Sequence, residues 1–279
     1  MRIACLFDDK KYEQTRKLFN LKGDLTFHRV LLKDIDDWNN YDAFIHKITS
    51  LQTHPSYIGI CEKINSLTIP VIDKLELMSP IVDRECMLRL LDECCVDTDF
   101  ETPQYEIIRE KVDISIPMPI ICKPLVACCV NEAHLMSIWR KTPSGLDLPF
   151  LAQRFHPHDN IVFKCYVVGS KHFITARSSI EMDRSSHLDF NSNEMVKTEV
   201  ECILTSEIRT SVDTLTDKIR KISRLTFFGF DFIRSKETGK LFVFDLNYFP
   251  SFNSGYTGFD VIDGIVNELM SRLMSVCQG

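Results

Sequence analysis

The residues best suited to chemistry lie in FFGFDFIRSKETGKLFVFDLNYF (residues 227–249), where Asp231, Asp245 and Asn247 stand among phenylalanines and valines. Side chains alternate across a strand, so Asp245 and Asn247 share a face. Folding the segment as a hairpin about Glu237-Thr238-Gly239 brings Asp231 level with residues 244–245. Carboxylates in apolar strands are costly unless their charge is offset, and two of them with an amide match the oxygen ligands of a hard divalent cation such as Mg²⁺. The same alternation also fits the solvated face of an antiparallel pair.

Cations form a second group: Lys123 in PIICKPLVA (119–127), Lys164 in IVFKCYVVG (161–169) and Arg177 in SKHFITAR (170–177). A basic side chain in an apolar strand either snorkels to a sheet edge or keeps company with an anion. Two lysines and an arginine together suit phosphates. His156 and His158 flank Pro157 with no third soft ligand nearby, which reads as loop surface and not as a zinc site. The chain carries no G-x-x-x-x-G-K-[ST], G-x-G-x-x-G, H-R-D, D-F-G, G-x-S-x-G or H-E-x-x-H, which removes most nucleotide-binding folds.

These residues need elements to hold them. RIACLF (2–7), LTFHRVLL (25–32), AFIHKI (43–48) and IPVID (69–73) read as short strands with room for crossovers between them, hence a Rossmann-like parallel sheet ending near residue 80. Tyr12, Thr15, Leu18 and Phe19 follow helical spacing, with Gly23 placed to cap that helix. Ser79 is placed to cap a helix through Leu88, Leu90 and Leu91. Short β runs follow at 119–127, 134–139 and 149–155, then two runs joined at Gly169-Ser170 as a II′ hairpin. A helix bearing Val212, Leu215, Ile219, Ile222 and Leu225 precedes the acidic hairpin, and a last helix runs from about Val261 to Met274.

Composition sets outer limits. The chain has 279 residues, 33 Lys+Arg and 39 Asp+Glu, a formal net charge of −6, and 44% hydrophobic residues. This is the balance of a soluble globular protein of about two compact units, with no overall field for a nucleic-acid backbone or an anionic bilayer. The phenylalanines follow strand alternation among few basic residues, so they read as core and not as a nucleic-acid platform. Eleven cysteines without a C-x-x-C, several in apolar runs, fit a reducing cytosol. No signal peptide or membrane span is expected.

A nucleotide site without a Gly-rich loop, with strand lysines and a terminal D…D-x-N set, resembles the ATP-grasp fold. More specifically, IHKIT (45–49), VDRE (82–85), ICKPLVA (121–127), FKCYVVG (163–169), FGFDFI (228–233) and FDLNYFPSF (244–252) resemble, in order over essentially the whole chain, the inositol 1,3,4-trisphosphate 5/6-kinase family. The resemblance implies an α/β (α+β) chain: a Rossmann-like domain (1–80), a central ATP-grasp lobe (81–155) and a C-terminal lobe with the metal site (156–279), the two lobes mixed and largely antiparallel.

It also implies roles, residue by residue. Asp231, Asp245 and Asn247 would hold Mg²⁺, as two ions. Arg84 and Lys123 would hold ATP phosphates. The segment Gln153 to Lys164, including Arg154, Phe155 and His158, would receive adenine, and Ser179 and Ser192 would add nucleotide contacts. Lys11, His134, Lys164, Arg177, Asn247 and Ser251 would meet the inositol phosphate, and Lys47 would join the nucleotide or phosphate region. Where the family has a Gly-bearing H-G-T-N-S-H loop, this chain has Cys128-Cys129-Val130-Asn131-Glu132-Ala133-His134, and Ser251 stands where Gly follows F-P. The implied function is an ATP- and Mg²⁺-dependent inositol polyphosphate kinase, cytoplasmic and monomeric, with ATP and an inositol polyphosphate as partners. An ATP-grasp carboxylate–amine ligase acting through an acyl phosphate, and a non-catalytic nucleotide- or inositol-phosphate-binding module, are the alternatives.

Overall fold

A computed structural model describes residues 2–7, 9, 12–13, 26–47, 58–110, 114–128, 131–180, 185–195, 198–201, 204–250 and 271. Lys11, Ser251, the helix expected around residues 12–23 and the helix expected over 261–274 lie mainly or wholly outside the described residues.

Four short strands, β1 (Arg2–Leu6), β2 (Thr26–Arg29), β3 (Ala43–His46) and β4 (Val71–Ile72), form an all-parallel sheet in the order β2-β1-β3-β4. Parallel sheets are buried on both faces, which is why β1 and β3 are runs of adjacent apolar residues without alternation. Helix α1 (Ile58–Asn65) leads into β4.

The helix expected from Ser79 is two helices. Short α2 (Ser79–Val82) ends where Asp83 turns extended, and Asp83 caps the N-terminus of α3 (Arg84–Cys95), its carboxylate accepting from the Cys86 amide at 3.0 Å. Ser79 is the first residue of α2 and not its cap, the N-cap being Met78, which makes no side-chain capping bond. The break has a cause: Asp83 bridges to Val126, and the Arg84 amide donates to Leu125 O at 2.8 Å, so this point is stitched to the segment that follows residue 124.

Two five-stranded sheets follow. One comprises β6 (Tyr105–Ile108), β7 (Ile120–Pro124), β8 (Leu135–Trp139), β9 (Phe150–Arg154) and β12 (His187–Asn191), antiparallel in the order β12-β8-β7-β9-β6. The other comprises β5 (Phe100–Glu101), β10 (Ile161–Val168), β11 (Lys171–Ser178), β13 (Phe227–Arg234) and β14 (Leu241–Tyr248), in the order β11-β10-β13-β14-β5, with only β14–β5 parallel. Sheet membership crosses residue 155 in both directions: β12 joins the earlier sheet and β5 the later one. Gly169 has φ +56° in the two-residue turn between β10 and β11, as a II′ hairpin requires.

Helix α4 (Ser206–Ser223) buries Val212, Leu215 and Ile219, the periodic face expected of it. Its N-terminus is capped by Thr205 and its C-terminus by Arg224 in the left-handed conformation. Phe227, Phe228, Phe230 and Phe232 are all fully buried, so β13 is covered on both faces. No described helix is long and apolar enough to cross a membrane. The described cysteines are free thiols.

Candidate functional site

The two five-stranded sheets enclose a cleft of about 470 Å³. Every expected site residue within the described chain lines it: Lys47, Arg84, Lys123, His134, Gln153, Arg154, Phe155, His158, Lys164, Arg177, Ser179, Ser192, Asp231, Asp245 and Asn247. Six cationic side chains (Lys47, Arg84, Lys123, Arg154, Lys164 and Arg177) face two carboxylates there, in a chain of net charge −6. A local positive surplus inside low-dielectric walls selects polyanions.

The acidic end follows from strand register. Asp231 pairs directly with Asp245 across β13 and β14, and a bulge between Asp231 and Phe232 leaves Phe244 as the extra residue. Lys164 is opposite Asp231 on β10, its ammonium 2.7 Å from Oδ1 and 2.9 Å from Oδ2. Only the Oδ2 contact has hydrogen-bond geometry, so Oδ1 is buried and meets Lys164 through the ion pair alone. Burial pushes the Asp231 carboxyl above the usual carboxylate range, Lys164 opposes that and Asp245 adds to it. Asn247 Nδ2 donates to Asp245 Oδ2 at 2.7 Å. The donor set, two carboxylates and an amide with one buried oxygen that makes no hydrogen bond, fits a hard divalent cation. Among the described residues no three His, Cys, Asp or Glu side chains gather as a metal site. Water or phosphate oxygens would have to complete the coordination, as is usual for Mg²⁺.

Lys123 and Lys164 lie on central strands of different sheets, so neither snorkels to an edge. Lys123 is 6% exposed, donates to Gln153 Oε1 at 2.7 Å and sits 5.1 Å from the Phe244 ring centroid. Burial, reinforced by Arg84 and opposed by Asp245 and Asp231, pushes its ammonium down to about 8. Gln153 Nε2, on a residue 1% exposed, has no partner and offers a donor to the cleft. If phosphates bind here, Lys123 must be charged. Nucleotide affinity is therefore expected to fall as pH rises through about 8, and binding at pH 8 to take up a proton; calorimetry in buffers of different ionisation enthalpy reads both. In the free protein the sign is opposite. A lysine whose pKa is depressed by folding contributes stability that rises with pH between about 8 and its unfolded value.

The sequence matches the inositol 1,3,4-trisphosphate 5/6-kinase ATP-grasp domain over residues 95–266. The chain belongs to that family. It is 30% identical to inositol-tetrakisphosphate 1-kinase 6 of Oryza sativa subsp. indica over 53% of this chain, but spans only 30% of that relative's length. It is 26% identical to inositol-tetrakisphosphate 1-kinase of Danio rerio, covering 89% of this chain and 71% of the relative. Among solved structures it is similar to a D-alanine–D-alanine ligase from Bacillus anthracis (TM-score 0.68, 13% identity, 97% of each chain). A RimK domain ATP-grasp protein from Sphaerobacter thermophilus is also similar (TM-score 0.64, 14% identity, 97% of this chain and 100% of the other). At such identity these two likenesses show the ATP-grasp fold alone.

Within this family frame, several side chains do more than their sequence context discloses. Arg84, 3% exposed, donates to the carbonyls of Pro124, Val126 and Ala133, so it clamps both ends of the loop that departs from the family pattern while also lining the cleft. Its position follows from the Asp83 break. His156 and His158 are not loop surface: His158 is buried, and His156 stacks on Phe242 with centroids 4.0 Å apart. Their segment is tied to the hairpin tip, since the Lys236 amide donates to Pro157 O at 2.8 Å. His158 Nδ1 donates to His156 O at 2.7 Å, and burial lowers the ring's pKa. The neutral ring then accepts from Ser179 Oγ at 3.0 Å through Nε2, which leaves the Ser179 oxygen as an acceptor. Ser192 Oγ lies 3.2 Å from His134 Nδ1, which makes it a contact of the cleft as well as a turn residue. Arg177 donates to Tyr166 OH at 2.7 Å, an aiming device with no sequence signature.

The remaining wall is apolar. Ile121, Met136, Ile138, Phe190 and Ile233 line it, and so does Phe244, which the bulge takes out of the core where alternation places it. Such a slot beside a cationic end suits a flat heterocycle carrying phosphates.

Proposed function

We propose that the protein is an ATP- and Mg²⁺-dependent inositol polyphosphate kinase, moving the γ-phosphate of ATP to a hydroxyl of an inositol tris- or tetrakisphosphate. One observation carries the reading: a single cleft joins an apolar slot to an acid–amide set and to lysines on two facing sheets. Asp231, Asp245 and Asn247 would hold Mg²⁺, as two ions, and bound metal supplies neutralisation of charge between the β- and γ-phosphates. Arg84 and Lys123 hold the nucleotide's phosphates, and Gln153 to His158, with Ser179 and Ser192, its base and sugar end. Lys164, already counter-ion to Asp231, stabilises charge building on the transferred group. His134, Arg177 and Asn247 orient the acceptor, with Lys11 and Ser251 as further contacts and Lys47 beside the phosphates. The chemistry is positioning and electrostatics, so it requires no dedicated base.

The described cysteines are free thiols, several of them buried in apolar surroundings, which supports a cytoplasmic setting. The test is product identification: a panel of inositol phosphate isomers is incubated with ATP and Mg²⁺, and the products are resolved by anion-exchange chromatography. Stimulated ATP consumption with an inositol carrying one more phosphate supports the kinase. Consumption stimulated only by a carboxylate and an amine would support the ligase reading that the fold neighbours carry. Recognition by a local cation cluster adds a second expectation. The screening length shrinks from ~10 Å at 0.1 M to ~3 Å at 1 M salt, so the KM for the inositol phosphate should rise about tenfold or more over that range. A salt-independent KM would argue against a cationic pocket.

A further inference from the structure

Behind the acidic set lies a buried polar knot joining the parallel sheet to the hairpin. Tyr248, the last residue of β14 and the neighbour of Asn247, is 4% exposed. Its hydroxyl donates to His46 O at 3.0 Å and accepts from the Asp73 amide at 2.8 Å. The His46 ring, 5.8 Å from the Tyr248 ring, donates through Nε2 to Asp73 O at 2.6 Å. Asp73 Oδ2 accepts the amides of Thr226 and Phe227 at 2.7 and 3.1 Å. The C-terminal ends of β3 and β4 are thereby fixed to the start of β13 and the end of β14.

That knot has a residue of the cleft on each side. Lys47 follows His46 directly, just past the end of β3, and Asn247 precedes Tyr248 directly on β14, and both line the cleft. Close packing holds the Tyr248 end in place. Phe249 adopts φ +43°, buried against Phe7 and Phe227. Gly229 has no Cβ, which would meet Cys165 O at 3.0 Å and Pro250 Cγ at 3.1 Å. The tyrosine hydroxyl is therefore a direct polar link between the end of β3, next to Lys47, and the strand bearing Asn247.

We infer that Tyr248 is a positioning residue, whose hydroxyl sets the Lys47 ammonium at the height of the phosphates gathered beside Asn247. The inference rests on the proposed kinase reading of this cleft. A cation misplaced by about 1 Å costs transfer rate up to about a hundredfold while leaving the distant heterocycle slot intact.

The test compares Tyr248→Phe, Lys47→Ala and the double variant. In Tyr248→Phe, amide exchange at Asp73 should quicken, because its acceptor is gone. kcat should fall between about tenfold and about a hundredfold, with the Kd for ATP within about threefold of the parent. The double variant should be no slower than Lys47→Ala alone. If Tyr248→Phe does not fold, His46→Leu, which removes the Asp73 bond from the same strand end, must show the same split. Quickened exchange with unchanged kcat, or additive losses in the double variant, would overturn the positioning role while the kinase reading stands. A parent protein with no inositol-phosphate-dependent ATP turnover would overturn that reading first and this inference with it.

Discussion

Asp245→Asn is expected to lower turnover by about a thousandfold while leaving the melting temperature near the parent's. The kinetic part follows from what a bound divalent ion contributes: several kcal/mol of charge stabilisation, at ~1.4 kcal/mol per tenfold in rate. The stability part follows from the pair. Asp245 stands directly opposite Asp231, whose carboxyl is already raised by burial with Asp245 adding to the penalty, so removing one of two facing charges relieves Asp231 while the attraction Asp245 exerts on buried Lys123 and Arg84 is lost, and the two effects offset. Asn247 keeps an oxygen acceptor in the variant, and no buried donor is stranded. Steady-state ATP turnover in metal-stripped buffer replenished with Mg²⁺, alongside differential scanning calorimetry, tests both halves. Full activity would refute the metal assignment, and a cooperative loss of stability would show that the cluster is structural.

How much of this site was legible from the residues depends on the range of the interaction. The pairing of Asp231 with Asp245 could be read because alternation and a short turn fix register over some 20 residues, and the parallel sheet because its strands are brief apolar runs set apart by crossovers. The bulge at Phe244 could not: one extra residue leaves no compositional trace, yet it turns an aromatic ring toward Lys123. Arg84 as clamp was hidden for another reason, since its partners are backbone carbonyls 40 to 49 residues away and any residue type would supply them. Tyr248 reaches 175 and 202 residues back to Asp73 and His46, and only the meeting of two sheets makes that contact. His156 and His158 were read as surface from their proline. Stacking on Phe242 and the link to the hairpin tip half-bury His156 and bury His158 instead, because tertiary packing overrides a local turn signal.

The two strand lysines should separate kinetically. Lys164 is tied to Asp231 at the acid–amide end, where the transferred group would sit, whereas Lys123 stands on the opposite sheet with Gln153 and the Phe244 ring. A charge that meets the group in flight interacts more strongly as the transition state forms, and its loss appears in kcat and kcat/KM. A charge that meets the nucleotide's other phosphates interacts equally in ground and transition states, and its loss appears in KM. Lys164→Met is accordingly expected to lower kcat by about a hundredfold to a thousandfold with little change in ATP affinity. The buried Asp231 carboxyl, deprived of its counter-ion, should titrate higher still. Lys123→Met should raise the Kd for ATP about tenfold or more while kcat falls less, and it should abolish the loss of affinity above about pH 8. Arginine at position 123, charged throughout that range, should flatten the pH profile without removing binding. Steady-state kinetics paired with calorimetric ATP titrations across pH 7 to 9.5 would decide the matter. Identical patterns for the two lysines, or a reversed one, would show that the two sheets do not divide nucleotide holding from phosphate transfer in this way, even with the kinase activity intact.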